Sequence, residues 1–116
     1  MRDFVRSLKA LSDETRIRIL KVLLERECCV CEVMQALDIS QSRASRNLGI
    51  LANAGFIKSS RDGLWTAYSI DEQRINSNAP PLVELLRSPL VDEEIILQDR
   101  EMLGRAVRVG PRAKPK

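Results

Sequence analysis

Residues 30–54 read VCEVMQALDISQSRASRNLGILANA, and this stretch decides the fold. Apolar side chains at helical spacing predict a short helix over residues 30–37. Residues 38–40 form a tight connection that ends on Ser40, a good N-cap for a second helix over residues 41–54. The inward face of that second helix consists of Ala44, Leu48 and Leu51. Two short helices joined by a three-residue turn predict a helix-turn-helix.

A β-hairpin is predicted directly after the second helix, from Phe56 to Ile70. Two runs of strand length flank Arg61-Asp62-Gly63-Leu64, and Asp-Gly is among the strongest short-range signals of a hairpin turn. Period-two alternation puts Thr66, Tyr68 and Ile70 on one face of the second strand and Trp65 on the other. A hairpin in this position is typical of the wing of a winged helix.

Further helices are predicted on both sides of this unit. Apolar spacing predicts a first helix over residues 4–11, and Ser12 is the predicted N-cap of a second helix that runs to about Glu25. A polar, proline-ended linker at residues 76–81 precedes apolar stripes that predict a helix broken near Pro89. The expected fold is mainly α with a β-hairpin wing, a winged helix-turn-helix in the order α-α-α-α-β-β-α.

The composition agrees with one helix-rich domain. The chain has 116 residues, of which 44% are hydrophobic and only 3% aromatic, so its core must consist mainly of aliphatic side chains. We expect one domain over residues 1–108. Residues 109–116 are basic and rich in Gly and Pro, which predicts a disordered tail.

Several classes of function are disfavoured. The chain has no histidine, so no site can use imidazole as ligand or base, and no nucleophile–base pair or carboxylate dyad is visible. We therefore expect no enzyme. The sequence has no long apolar run and no apolar block near Met1, which predicts a cytoplasmic protein without a membrane partner.

Two groups of polar side chains are candidates for contact with DNA. The outer side of the second helix of the helix-turn-helix combines guanidinium, amide and hydroxyl groups, which read base edges and bind phosphates. These residues are Gln41, Ser42, Arg43, Ser45 and Arg46. On the hairpin, Lys58 and Arg61 are expected to reach neighbouring phosphates. Each residue alone fits a solvated face, but their order along helix, turn, helix and wing favours DNA binding.

Three cysteines, Cys28, Cys29 and Cys31, lie within four residues where the helix-turn-helix begins. Thiolates select soft ions, and a helix N-terminus is expected to lower the pKa of nearby thiols. In an ideal helix Cys29 and Cys31 point about 200° apart, whereas Cys28 and Cys31 share a face. One ion on Cys29 and Cys31 therefore requires a first turn that unwinds or starts later. Burial as core filler is the alternative for any single cysteine.

These motifs resemble those of the ArsR/SmtB family of metalloregulatory repressors. Leu11-Ser12-Asp13-Glu14-Thr15-Arg16 resembles the start of the family's second helix, and residues 40–48 resemble its recognition helix. Residues 27–33, ECCVCEV, are similar to the family's ELCVCDL box, in which the cysteines of Cys-Val-Cys bind As(III) or Sb(III), or cadmium and lead in other sensors. By this resemblance Cys29 and Cys31 are metal ligands; Cys28 as a third ligand is our inference from its proximity.

The resemblance also implies a homodimer that represses by binding an inverted-repeat operator in double-stranded DNA and leaves it when As(III) or Sb(III) binds. Family dimers form through the first and last helices, which agrees with extra apolar residues at Phe4, Leu8, Leu82, Leu86, Ile96 and Leu103. Met34 stands where some arsenic sensors have a third cysteine, and no cysteine precedes Cys28 as in cadmium and lead sensors. Open alternatives are a redox-sensing repressor, a Cd/Pb sensor, and a dimeric module without DNA binding.

Overall fold

The computed structural model describes residues 1–72, 79–89 and 92–109. Its elements are α1 (Arg2–Leu11), α2 (Glu14–Glu25), β1 (Cys28–Cys29), α3 (Val30–Leu37), α4 (Gln41–Asn53), β2 (Ile57–Asp62), β3 (Trp65–Ile70), α5 (Ala79–Leu86) and α6 (Glu94–Arg105). The predicted winged helix-turn-helix is confirmed, with α3 and α4 as the helix-turn-helix and β2 and β3 as the wing. Within the described ranges, no helix has the length and apolar character needed to cross a bilayer.

Two helix starts test the predicted N-caps. Helix α2 is capped by Asp13 and not by Ser12, because the Asp13 carboxylate accepts a hydrogen bond of 3.0 Å from the Arg16 amide. Ser12 instead closes α1, since its amide donates to the last turn of that helix. The cap predicted for α4 is confirmed, because the Ser40 hydroxyl accepts a 3.2 Å hydrogen bond from the Arg43 amide.

Helix α5 begins earlier than the sequence predicted, at Ala79 and inside the expected linker. Pro80 and Pro81 lie in its first turn, where a missing amide hydrogen removes no helical hydrogen bond. The remaining part of the expected linker, residues 76–78, lies outside the described residues. Helices α5 and α6 lie on either side of Pro89, so the predicted break is confirmed.

The core consists mainly of aliphatic side chains from α2, α3 and α4, together with Phe56 beside the wing. The largest fully buried hydrophobic side chains are Phe56, Ile19, Leu20, Leu48, Leu51, Val22 and Val33. The predicted inward face of α4 is confirmed, because Ala44, Leu48 and Leu51 have no exposed surface. Burial of this stripe fixes which face of α4 points outward.

Several apolar residues expected at a dimer interface belong to the chain's own core. Leu86, Ile96 and Leu103 are each 4% exposed, so the expectation that they exceed the needs of the core is wrong. Other apolar side chains on the first helix and the last two helices do remain exposed. They are Phe4, Val5, Leu8, Leu85, Leu97 and Met102.

The wing closes on a two-residue turn, as its Asp-Gly pair predicted. Asp62 lies opposite Trp65 in the antiparallel register of β2 and β3. Gly63, the first residue of the turn, has a φ of 65°, in the left-handed region that favours glycine. The turn sets the register of the hairpin and therefore the positions of its charged residues.

The strand β1 was not predicted, because two residues are too few for alternation to be recognised. It pairs with β3, with Cys28 opposite Tyr68 and Cys29 opposite Ala67, and completes a sheet of order β1-β3-β2. The segment that enters α3 is therefore bonded to the same strand that forms one side of the wing.

A buried ion pair joins α2 to α6. Arg18 donates two hydrogen bonds to the Asp99 carboxylate, at 2.8 Å and 2.9 Å, and a third to the carbonyl of Leu37 at the end of α3. The Asp99 side chain is only 4% exposed. The pair therefore holds three helices in one arrangement.

We predict that Asp99→Asn lowers the free energy of unfolding by about 3 kcal/mol, because it leaves the Arg18 charge without its buried partner. Glu101→Gln is the matched control, since Glu101 pairs with Arg105 on the exposed side of α6. That substitution should change stability by less than about 0.5 kcal/mol. Urea unfolding followed by circular dichroism measures both, and equal effects would contradict the role given to Asp99.

Candidate DNA interface and cysteine site

Helix α4 presents a polar face to the outside. All five residues predicted to meet DNA from this helix are exposed, and the apolar stripe faces inward. They are Gln41, Ser42, Arg43, Ser45 and Arg46. The arrangement leaves hydroxyl, amide and guanidinium groups on one accessible helix face, the chemistry suited to a major groove.

Hydrogen bonds anchor this helix to α2. Arg43 donates to the Thr15 hydroxyl at 2.7 Å, and Arg16 donates to the Asn47 side-chain oxygen at 3.0 Å. The Asn47 amide donates to the carbonyl of Arg43 at 2.9 Å, although Asn47 is only 4% exposed. No individual role was predicted for Arg16 or Asn47, although both lie in the motifs of residues 11–16 and 40–48. A polar residue between buried α4 positions was the available signal.

The two wing residues predicted to meet phosphates, Lys58 and Arg61, are exposed on β2. Arg61 lies opposite Thr66 and next to Asp62. Asp62 is ion-paired with Arg108 at 2.6 Å. The wing therefore carries a negative charge beside a candidate phosphate contact, and this charge is compensated by a residue from the C-terminal end of the described chain.

Cys29 and Cys31 come together at the start of α3. Their sulfurs lie 2.7 Å apart. This is possible because α3 begins at Val30, so that Cys29 has the extended backbone of an N-cap and does not follow the ideal helical spacing. The sequence argument required a first turn that starts later, and the structure has that geometry.

Glu32 fixes the backbone at this pair. Its buried carboxylate accepts hydrogen bonds from the Cys29 amide at 2.9 Å, from Arg26 at 2.8 Å and from Arg108 at 3.0 Å. Burial by itself raises the pKa of Glu32, but the three hydrogen bonds outweigh it and lower that pKa below its usual value. Glu32 is therefore an ionised group at the start of α3 that holds Cys29, Arg26 and Arg108 together.

Cys28 has a different environment from the other two thiols. It is fully buried as part of the hydrophobic core, and its sulfur lies 3.4 Å from the carbonyl oxygen of Arg26 as a hydrogen-bond donor. Burial raises the pKa of Cys28 to about 12. Across residues 1–72, 79–89 and 92–109, no three His, Cys, Asp or Glu side chains are grouped to hold a metal ion. The structure thus brings together two of the three predicted sulfur ligands.

The expectation that a helix N-terminus lowers the thiol pKa is wrong for Cys29. Burial, followed by the hydrogen bond with Cys31, raises the pKa of Cys29 to about 12. Cys29 is 3% exposed, so loss of hydration outweighs the favourable end of the α3 dipole. The Cys29 thiol is protonated at neutral pH.

Residues 106–109, which we call the C-terminal strap, lie against the cysteine pair and the wing. The Val109 amide donates to the Cys31 sulfur at 3.4 Å, and the Val109 carbonyl accepts from the Trp65 indole at 2.8 Å. Sequence analysis assigned Val109 to the disordered tail, which is wrong for this residue, because both of its backbone groups are hydrogen-bonded. The other residues of the predicted tail, 110–116, lie outside the described residues.

Sequence comparison matches residues 13–59 to a family of bacterial regulatory proteins, the arsR family. The cadmium resistance transcriptional regulatory protein CadC homolog of Staphylococcus aureus is 40% identical over 74 residues, covering 63% of this chain and 61% of that protein. The arsenic resistance transcriptional regulator ArsR2 of Pseudomonas putida is 38% identical over 107 residues, covering 86% and 89%. The chain thus spans about three fifths of the length of the first relative and most of the second.

Two solved structures with the same fold are also similar to this chain in sequence. Reduced HlyU from Vibrio cholerae is 28% identical, with a TM-score of 0.67 over 79% of this chain and 92% of that one. The homodimeric winged helix-turn-helix DNA-binding domain of Mb0332 from Mycobacterium bovis, described as a possible ArsR-family regulator, is 25% identical. Its TM-score is 0.65, over 80% of this chain and 82% of the other.

The different burial of the three cysteines predicts an order of alkylation. In the reduced native protein iodoacetamide should modify the partly exposed Cys31 first, and Cys28 at least about tenfold more slowly because β1 must open. Peptide mass spectrometry at successive times gives the three rates. In urea the rates should converge. Native Cys28 that reacts as fast as Cys31 would contradict its position in the core.

Proposed function

Because the chain belongs to the ArsR family of bacterial regulatory proteins, we propose that it is a repressor that leaves operator DNA when Cys29 and Cys31 bind As(III) or Sb(III). Members of this family are transcriptional regulators, so the sequence-based conclusion that the chain is not an enzyme stands. The observation that carries the proposal is the close approach of two sulfurs, 2.7 Å apart, where the helix-turn-helix begins.

DNA binding is supported by the division of α4 into a buried apolar face and an exposed polar face. The Arg43 guanidinium already donates to Thr15, which makes Arg46 the arginine that we expect to reach a base edge or phosphate. Lys58 and Arg61 on the wing add contacts to phosphates that do not depend on sequence and weaken with salt. The other polar side chains of the α4 face are Gln41, Ser42 and Ser45.

Dimerisation is supported by apolar side chains that remain exposed on α1 and α6, among them Phe4, Leu8 and Leu97. Exposed apolar residues on two terminal helices suit burial against a second copy. A two-fold dimer brings two recognition helices into successive major grooves about 34–36 Å apart, which requires an imperfect inverted repeat in the operator. Mb0332, one neighbour in structure, is described as homodimeric.

The chemistry of arsenous acid suits two neighbouring cysteines, even where one thiol is protonated. As(III) carries three hydroxyl groups and, as a soft centre, prefers sulfur to oxygen. Each thiol replaces one hydroxyl, and its proton leaves with that hydroxyl as water, so two As–S bonds form and two waters are released. The raised pKa of Cys29 therefore does not prevent binding. The third position keeps a hydroxyl or takes another sulfur.

Cys28 remains our candidate for that third sulfur, with a condition attached. Its thiol faces the core from β1, so it can join the pair only if β1 separates from β3. Such a rearrangement would move the segment that enters α3 and supports the recognition helix. Two sulfurs suffice for the proposed function, and Cys28 would strengthen the coupling to DNA.

Thiol oxidation is a second candidate function, favoured by the same 2.7 Å approach of the sulfurs. One equivalent of peroxide would accept two electrons and two protons from the two thiols, which yields a Cys29–Cys31 disulfide and two waters. A solved neighbour is described as reduced HlyU. If peroxide releases the protein from DNA, a thiol reductant restores binding and As(III) has no effect, this second function holds and the first does not.

We predict that As(III) raises the Kd of the reduced protein for the DNA upstream of its own gene by about 10- to 100-fold, the range expected for allosteric coupling. Cys29→Ser should bind DNA as the wild type does and lose this response, because one thiol cannot hold the metalloid. Cys28→Ser is the control and should keep most of it. Fluorescence anisotropy of labelled duplex measures the Kd. Release of Cys29→Ser by As(III) would contradict the assignment.

Arg46→Ala should weaken DNA binding about tenfold or more, since one side chain at a base or phosphate contributes about 1–3 kcal/mol. It should leave As(III) binding unchanged, because Arg46 lies on α4 and away from the thiols. Arg87→Ala removes the same charge from the end of α5 and should lower affinity by less than about threefold at 0.15 M salt. Equal weakening by both variants would indicate that only net charge matters.

A further inference from the structure

The C-terminal strap connects α3 to the wing through side-chain and backbone contacts. Gln35 on α3 donates to the Val107 carbonyl at 2.6 Å and accepts from the Val107 amide at 2.9 Å. The next residue, Arg108, bonds to Glu32 and to Asp62. Three consecutive strap residues, Val107, Arg108 and Val109, therefore contact α3, and two of them also contact the wing.

Arg108 joins two carboxylates that belong to different elements. Its Nε donates to Glu32 at 3.0 Å and its Nη1 donates to Asp62 at 2.6 Å. Its guanidinium also lies 5.8 Å from the centre of the Trp65 ring, within the range of a cation–π interaction. These contacts raise the pKa of Arg108 above its usual value, the hydrogen bond to Asp62 first. Arg108 thereby holds the turn end of the wing against the entry to α3.

Val109 brings the same two regions together through its backbone. Its amide is a donor to the Cys31 sulfur, and its carbonyl is an acceptor for the Trp65 indole. A single residue, Val109, thus connects the Cys31 sulfur to the wing.

We propose that the C-terminal strap transmits occupancy of the cysteine pair to the wing, with Arg108 as the positioning residue. This inference rests on the proposed function and adds how ligand binding at the cysteines changes the DNA-binding surface. The strap holds the wing in its DNA-binding position when the thiols carry no ligand. It leaves the wing when a metalloid binds to Cys29 and Cys31.

The size of the bound metalloid supplies the physical reason. Cys29 and Cys31 already place their sulfurs in contact, so one arsenic atom can bond to both without a rearrangement of the backbone. Arsenic takes the place of the thiol hydrogens and carries a third substituent, so the bound metalloid occupies the space beside Cys31 where the Val109 amide now lies. The strap loses its contact with the thiol site.

Release of the strap acts on the wing through charge. Without Arg108, the carboxylate of Asp62 has no ion-pair partner among the described residues and lies beside Arg61. An unpaired carboxylate repels phosphates and offsets the attraction of Arg61 and Lys58. Affinity for DNA falls even where the recognition helix keeps its shape.

The chain contains one tryptophan, Trp65, which reports strap displacement directly. On addition of As(III) to reduced wild-type protein, the emission of Trp65 should shift to longer wavelength and saturate at the same ratio as thiol occupancy measured by native mass spectrometry. Cys29→Ser should show no shift. Emission that stays constant while the thiols fill would overturn the proposal, because it would mean that the strap stays in place.

Arg108→Ala tests the coupling itself. The variant should still bind As(III), and its Trp65 emission should be red-shifted before As(III) is added. The As(III)-induced increase in Kd for DNA should be at least about fivefold smaller than in the wild type, a factor at the lower end of typical coupling. Arg105→Ala is the matched control, since Arg105 pairs only with Glu101 among the described residues. Asp62→Asn removes the wing end of the bridge without touching the strap and should reduce the response similarly.

The possible outcomes separate the two ideas. If As(III) releases the wild type, and Arg108→Ala and Asp62→Asn respond as fully as Arg105→Ala, the strap proposal is wrong and the metalloid-responsive repressor stands. If As(III) fills the thiols of the wild type and leaves its DNA affinity unchanged, the proposed function fails and the coupling fails with it. Selective loss of the response in both variants supports the strap.

Discussion

The buried carboxylate of Glu32 is the interaction on which the rest of the site depends. It accepts the Cys29 amide, which holds the cysteine segment in the extended geometry that pairs the two sulfurs. It also receives Arg26 from the end of α2 and Arg108 from the strap. A buried charge is stable only while its partners are present, so these elements are bound to one another through a single group. The entry to α3 cannot move without disturbing all of them.

The recognition helix is positioned by a different set of forces. The apolar stripe of α4 is completely buried. Beside that stripe, Asn47 and Arg43 form hydrogen bonds with α2. Tight packing resists gradual deformation, so a ligand at α3 has little scope to bend α4 continuously. Movement of a peripheral element with polar contacts, such as the strap or the wing, requires less reorganisation. The division of the molecule into a packed core and a hydrogen-bonded periphery therefore favours the periphery as the part that responds.

Local patterns in the sequence were sufficient for most of the fold, because the relevant interactions are short in range. The periodicity of residues 30–54 and the Asp-Gly turn predicted the helix-turn-helix and the wing with nearly correct bounds. The strap was missed because its contacts join residues far apart in the chain, as Cys31 and Val109 are. Among the cysteines, the ideal-helix argument identified the geometric conflict between Cys29 and Cys31. The helix start at Val30, which the apolar spacing also predicted, resolves it. Pairing with β3, which turns Cys28 into the core, was not predicted.

The state of the Cys29 thiol bears on the choice between a metalloid and an oxidant as the signal. Oxidation by peroxide proceeds through a thiolate, and a pKa of about 12 leaves very little thiolate at neutral pH. Exchange with arsenous acid removes the thiol proton in the same step that releases water, so it does not require a preformed thiolate. Cys29 is thus poorly reactive toward oxidants and still able to exchange with As(III). The burial of Cys29 therefore favours a response to the metalloid over a response to peroxide.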